Sequence, residues 1–344
     1  MRYGWWRLYD LHLQSVLLAS YFYQPYLNPP VMAWATLPFV LLPFVWAHAA
    51  WTALLLVSLL VAWWVLCPAG QGPRWWWLLA VFAWLPAMFS IGIAQPQFFV
   101  VLAIALAVRL RSSDREFWAG VALSVIWLKP QLGFLVPVGL LAARQWRMLL
   151  GLAVAGGLLG LAQLAALRPA GVRDYLDALQ LASTFELQRR LSLVGLVPGV
   201  VFNLLRVVIV GLLVLASLGS RRRDYVLVAA PLASLLVAPY SGFQDLAVLC
   251  GSAWIWLRES PSWGVRSFLL LGWVCAEFTL LWGPYPLVGF ELAWMVVLGV
   301  LGVRRWRAGS SPSGTAAINS SSLGPRLGAP TRPPDQRSAE AGRA

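Results

Sequence analysis

The chain has 344 residues, 60% of them hydrophobic and 11% charged, with a formal net charge of +13 and a mean hydropathy of +0.72. A typical soluble domain carries about 25% charged residues, so a water-soluble globule is excluded and an all-α, polytopic helical membrane protein is expected. The positive charge is no nucleic-acid footprint, because arginines gather at the ends of apolar runs, the distribution that sets membrane topology.

The start of the chain, Met1 to Leu13, has no apolar core of signal-peptide type. Residues 1–29 are expected as an extracytoplasmic stretch. It ends in Tyr26-Leu27-Asn28-Pro29-Pro30, a helix start with Asn28 as N-cap and proline in the first turn. A transmembrane domain over 30–303 follows, with about 9–12 segments including broken helices. The segments are 30–44, 46–66, 75–90, 96–108, 117–128, 131–143, 148–167, 196–218, 225–239, 246–257, 266–282 and 287–303. Several are too short for a hydrocarbon core of about 30 Å. They pair around Pro or Gly: 75–90 with 96–108, 117–128 with 131–143, and 225–239 with 246–257. Each pair reads as a hairpin or broken helix whose tip lies within protein near one membrane face.

Arginines fix the sides. Arg109, Arg111 and Arg115 precede the pair around Lys129, and Arg144 and Arg147 follow it, so both ends are cytoplasmic and the tip is outside. Arg221, Arg222 and Arg223 precede the next pair, and Arg258 and Arg266 follow it, which sends the tip at Pro239–Asp245 to the same outer side. The polar stretch 168–195 falls outside as a loop, and Arg304, Arg305 and Arg307 close the last span inside. Residues 304–344, rich in Ser, Pro, Gly and Arg, read as a disordered basic cytoplasmic tail. The protein is therefore expected in the cell membrane, with its active face extracytoplasmic and its C-terminus cytoplasmic.

Of the 26 basic residues, Lys129 is the one lysine, and it interrupts an apolar stretch as Leu128-Lys129-Pro130-Gln131. A lysine at the centre of a membrane helix costs about 2.5–3.5 kcal/mol on insertion scales, and Pro130 breaks the helical ladder beside it. Two readings stand. Lys129 forms a structural salt bridge to Asp245, Glu277 or Glu291, or it captures an anionic group such as a lipid phosphate at the outer leaflet.

Gln95 and Gln97 mark a second tip, where their amides either satisfy freed backbone groups or serve a ligand. Asp245 is an intramembrane carboxylate, hence a functional candidate by default, although pairing with Lys129 or Arg206 accounts for it equally well. Glu277 and Glu291 flank the turn Gly283-Pro284-Tyr285-Pro286 and are expected to reach water. The 168–195 stretch holds Arg168, Arg173, Asp174, Asp177, Glu186, Arg189 and Arg190, mostly a solvated surface, with Arg189 or Arg190 as a phosphate contact in the sharper reading. Cys67, Cys250, Cys275, His12 and His48 form no metal-ligand spacing.

Tyr9-Asp10 with Gln14, the Tyr26–Pro30 cluster, Leu37-Pro38, Leu42-Pro43, Gln95, Leu128-Lys129-Pro130-Gln131, Arg144–Arg147, Pro239-Tyr240 and Asp245-Leu246 together resemble glycosyltransferase family 87. The resemblance runs over about residues 8–303. Its members are membrane-embedded transferases of the GT-C type. The resemblance implies transfer of a hexose, mannose in the best-known branch, from a polyprenyl-phosphate sugar to a lipid or glycan acceptor, outside the membrane and with inversion. It implies donor-phosphate contacts at Lys129, Gln131, Gln95 and Arg190, and a site lined by Asn28, Asp245 and Tyr240. Partners are membrane lipid, the polyprenyl-phosphate-linked sugar and the acceptor, with no nucleic acid. No cofactor is expected; a divalent cation is left open.

One departure bears on the catalytic base. The GT-C acidic residue, expected upstream of Tyr9-Asp10 after a first membrane helix, does not lie within this sequence, so the N-terminus is expected to be truncated or the chain an inactive relative. Reassigning the base to Asp10 is the alternative that keeps it within the chain. A transporter is the rival from another class, sharing broken helices and buried charges; a catalytically inactive lipid-binding relative is the third reading.

Overall fold

A computed structural model describes residues 4–17, 26–67, 75–184, 189–218 and 224–310. Among them every regular element is helical. In chain order these are α1 (Leu11–Leu17), α2 (Pro30–Thr36), α3 (Phe44–Leu66), α4 (Trp75–Phe82), α5 (Leu85–Gly92), α6 (Gln97–Arg111), α7 (Glu116–Leu123), α8 (Val136–Ala142), α9 (Trp146–Ala182), α10 (Gly199–Leu218), α11 (Tyr225–Val237), α12 (Leu249–Glu259), α13 (Trp263–Glu277), α14 (Thr279–Trp282) and α15 (Tyr285–Ser310). Four helices, α3, α9, α10 and α15, are long and apolar enough to cross a membrane, and the bent pair α4–α5 makes a fifth. Their outward faces carry exposed Val57, Leu158, Leu161 and Val207, apolar surface that suits lipid rather than water. The protein is a multi-pass helical membrane protein.

The centre of the bundle is α11, in which every residue is buried. Continuous apolar sequence, with no polar face, is what a helix covered on all sides requires. Packed around it are α8, α10, α12 and α15, while α3 packs on α6 and α7 on α9. The α7–α9 contact depends on two glycines. A Cβ on Gly120 would meet the Met148 carbonyl, and one on Gly151 would meet the Phe117 carbonyl, so the two backbones approach as only small residues allow.

The breaks expected between the paired short segments are present; α11 and α12 pack on each other as a hairpin, while 75–90 with 96–108 and 117–128 with 131–143 are broken without their helices packing together. The helix breaks at Lys129-Pro130, and the disruption spreads into 3-10 turns at Ser124–Leu128 and Pro130–Leu132. Residues 238–242 form the second tip, followed by a 3-10 turn at Phe243–Val248.

Other expectations are corrected. Segment 30–44 is not a span: Leu37-Pro38 and Pro43 end α2 after seven residues and start α3 anew. Asn28 is not the N-cap of α2; Pro29 occupies that position. Segment 75–90 breaks within itself, bending by 68° between α4 and α5, because Pro86 in the first turn of α5 cannot continue the α4 ladder; the Leu85 N–H donates to Glu277 Oε1 at 2.6 Å. The stretch 168–195 is not one loop. Arg168, at φ 57°, and Pro169 kink α9, which then continues to Ala182 with Gly171, Ala178 and Ala182 buried at helical spacing. At the other end of the domain α15 runs on to Ser310. Glu186, Arg221, Arg222, Arg223 and the tail from residue 311 lie outside the described residues.

Candidate functional site

Three breaks between helices meet at one end of α6. Lys129 Nζ lies 2.5 Å from Asp245 Oδ1 and donates to Gln95 Oε1 at 2.9 Å. Asp245 also accepts from Gln97 Nε2 at 2.8 Å and from the Gly242 N–H at 2.9 Å, and Gln97 Oε1 accepts from Ser90 Oγ. Lys129 is 3% exposed and Asp245 1% exposed. Of the two readings of Lys129, the geometry follows structural pairing, with Asp245 as partner. Two of its three ammonium donors are directed to Asp245 and Gln95 within the protein.

The chain is shaped locally to bring these groups together. Ala94 adopts φ 53°, a conformation costly for a residue with a Cβ, and the turn it makes directs Gln95 to Lys129. Lys129 itself is extended between its two 3-10 turns, at φ −150° and ψ 81°. Gly242 and Asp245 form a reciprocal cap at the start of the turn Phe243–Val248. The opposite end of α6 is fixed by a second pair, Arg111 with Asp224 at the start of α11. The two pairs sit at the two ends of a 15-residue helix, about 22 Å apart at helical rise.

Beside the tips lies a tyrosine cluster. Tyr9 and Tyr175 have ring centroids 4.4 Å apart, and Tyr9 and Tyr26 5.9 Å. Burial first, then the nearby Tyr175 and Asp245, push the Tyr240 phenol above the ordinary range. The Tyr9 hydroxyl donates to the Asn28 carbonyl at 2.5 Å, and Gln14 joins Leu8 to Tyr26 by two hydrogen bonds. The segment around Tyr9 is thereby fastened to Tyr26–Pro29 and to the second half of α9. Tyr175 was not legible as a site residue, because its place beside Tyr9 follows from α9 continuing past Pro169.

Asp10 faces a different task. It pairs with Arg7 at 2.9 Å and accepts from the Leu13 N–H at 2.9 Å, capping α1. The Leu13 hydrogen bond first, then Arg7, hold its carboxyl below the usual carboxylate range. Arg190 lines a separate cavity of about 570 Å³ with Arg189, Thr184, Gly195, Pro284 and Tyr285. Gln131 is half-buried in the turn after Lys129.

The remaining charged candidates are also accounted for. Glu277 caps α5 as described, and Arg206 is exposed with its guanidinium 5.8 Å from the Phe202 ring. Glu291 does not reach water: it is 1% exposed. Among the described residues, no group of three or more His, Cys, Asp or Glu is placed to hold a metal ion.

The family model of glycosyltransferase family 87 matches residues 26–241. The chain belongs to glycosyltransferase family 87. The matched region runs from the Tyr26–Pro30 cluster to the tip that precedes Asp245, so it contains Gln95, Lys129, Arg190 and Tyr240. No curated protein and no solved structure matches the chain. Membership in family 87 supports a membrane-bound glycosyltransferase.

Proposed function

We propose that this family 87 member moves a hexose, with mannose first among candidates, from a polyprenyl-phosphate sugar to a lipid or glycan acceptor at the extracytoplasmic face. The observation that carries the reading is the meeting of the Gln95, Lys129 and Asp245 tips beside a tyrosine cluster, at one end of an apolar bundle. Arg109, Arg111, Arg115, Arg144 and Arg147 lie away from these tips in sequence and topology, which favours the tips facing outward.

Such a transfer bonds an acceptor oxygen to the anomeric carbon while the bond from that carbon to the phosphate oxygen breaks. The acceptor loses its proton and the phosphate leaves with added negative charge, which cations must meet. In this proposal Arg189 and Arg190 meet it, since both are exposed beside a roomy polar cavity and a guanidinium binds phosphate in a fork. Lys129 with Gln95 then acts as a positioning residue, latching the Asp245 tip.

A second reading, a catalytically silent lipid-binding relative, draws on one observation: Asp10 and Asp245 are both engaged by neighbouring groups. The test is to reconstitute the full chain in liposomes, supply polyprenyl-phosphate mannose and glucose in turn, and follow label into lipid and glycan fractions. Transfer from either donor supports the transferase; donor binding without transfer from both supports the silent relative.

A further inference from the structure

An open crevice of about 460 Å³ lies between α6 and α7, at the end of α6 opposite the Lys129 break. Its lining joins one cation to an apolar wall: Arg115 with Leu110, Trp118, Val121 and Ala122. Arg115 is exposed, and its side chain makes no hydrogen bond or ion pair with any described residue. Trp118 is 60% exposed, and Leu106, one turn before Leu110 on α6, is exposed on the same face. The apolar wall thus extends from the charged rim toward the middle of the bundle.

The same end of the bundle carries an excess of unpaired positive charge. A Cβ on Gly120 would meet Met148, and one on Gly156 would meet Trp127, so α7 and α9 run parallel and start at the same end. Arg109, Arg144 and Arg147 therefore share that end with Arg115, all exposed and without a side-chain partner among the described residues. Two carboxylates, Asp114 and Glu116, stand against these four arginines, while Asp224 is taken by Arg111.

We propose that the crevice holds one anionic phospholipid of the leaflet at that end, its phosphate on Arg115 and an acyl chain along Leu110, Trp118 and Leu106. A guanidinium binds a phosphate in a fork, and an exposed indole beside it suits the level of lipid headgroups. The excess of arginine favours a headgroup of net negative charge over a zwitterionic one. Free phosphate would leave the apolar wall uncovered, and an uncharged lipid would leave Arg115 unmatched. The site is a helix length away from the Gln95–Lys129 contact, so it does not rest on the transferase reading.

The test is native mass spectrometry of the full chain in detergent with an equimolar mixture of dioleoyl phosphatidylglycerol and dioleoyl phosphatidylcholine. Wild type should retain one phosphatidylglycerol, favoured about tenfold over phosphatidylcholine. Arg115→Gln should weaken that retention about tenfold, the equivalent of one charged hydrogen bond. Arg304→Gln removes an equal charge from exposed α15 surface outside the crevice and should change it little. Ala122→Phe narrows the crevice, keeps Arg115 and should also weaken retention; each variant is first checked for monodisperse elution and a cooperative thermal transition. Glycerol phosphate, the headgroup without chains, should fail to displace the lipid. Equal retention of the two lipids, equal losses in Arg115→Gln and Arg304→Gln, displacement by glycerol phosphate, or unchanged retention in folded Arg115→Gln or Ala122→Phe would overturn the proposal.

Discussion

Lys129 Nζ and Asp245 Oδ1 lie 2.5 Å apart, both side chains almost wholly buried, and they join two breaks between helices contributed by distant parts of the sequence. Taking two charges out of water is expensive, and breaking such a pair by removing one member leaves the other uncompensated, at a cost of about 3–5 kcal/mol. Lys129→Met and Asp245→Leu should each lower the thermal midpoint of the purified protein markedly. The double variant should recover much of the loss, since neither charge then remains buried alone. Additive losses in a double-mutant cycle would mean that the two residues act separately.

The Arg189 and Arg190 side chains carry a different expectation. Each Ala substitution should leave the thermal midpoint nearly unchanged, because both are exposed. Each should raise the apparent KM for the phosphate donor by about tenfold or more, the worth of a charged hydrogen bond. The wild-type KM should also rise with ionic strength, as screening weakens exposed charge contacts. Initial-rate measurements over a donor series check both.

The α7–α9 contact is tested by bulk rather than charge. Gly120→Ala and Gly151→Ala each place a Cβ against a facing backbone carbonyl, and overpacking of this kind costs about 1–3 kcal/mol. Gly157→Ala on the same α9 helix meets nothing within 4 Å and should leave the thermal midpoint unchanged or slightly raised, since alanine favours a helix interior over glycine. Thermal unfolding in one detergent compares all three.

Asp10 gives a pH dependence of known sign. Its folded-state pKa is lowered by the Leu13 N–H and Arg7, so its contribution is present above the unfolded carboxylate range and lost as pH falls through the lower folded value. The protection of the Leu13 amide, its exchange rate compared with the intrinsic rate at the same pH, should fall on acidification in wild type. In Asp10→Ala that protection should already be low at neutral pH and change little with acid, since an N-cap is worth about 1 kcal/mol.

The all-helical membrane fold was legible from composition, and the breaks at Lys129-Pro130 and at 238–242 from proline placed inside apolar runs. Pairing between Lys129 and Asp245 stood among the alternatives, because a lone intramembrane lysine demands a counter-charge. What periodicity did not reveal depends on tertiary contacts. Pro86 sets the α4–α5 bend, but Glu277 on α13 as the acceptor of the Leu85 N–H follows only from packing. The continuation of α9 past Arg168-Pro169 depends on Gly171, Tyr175 and Ala178 finding the segment around Tyr9. Glu291 looked like an interface residue from its place near a turn, and only the packing of α4, α12 and α13 around it encloses it.

The most direct test is the initial rate of hexose transfer from radiolabelled polyprenyl-phosphate mannose by the full chain in sealed liposomes, compared with Arg189→Ala/Arg190→Ala at low and saturating donor. The account predicts transfer by the wild-type chain, and a rate at low donor at least about tenfold lower in the double variant, with much of the loss recovered at saturation. Wild-type transfer with an unchanged rate in the double variant would contradict the assignment of the donor phosphate to these arginines, and no transfer with any polyprenyl-phosphate hexose would contradict the transferase reading itself.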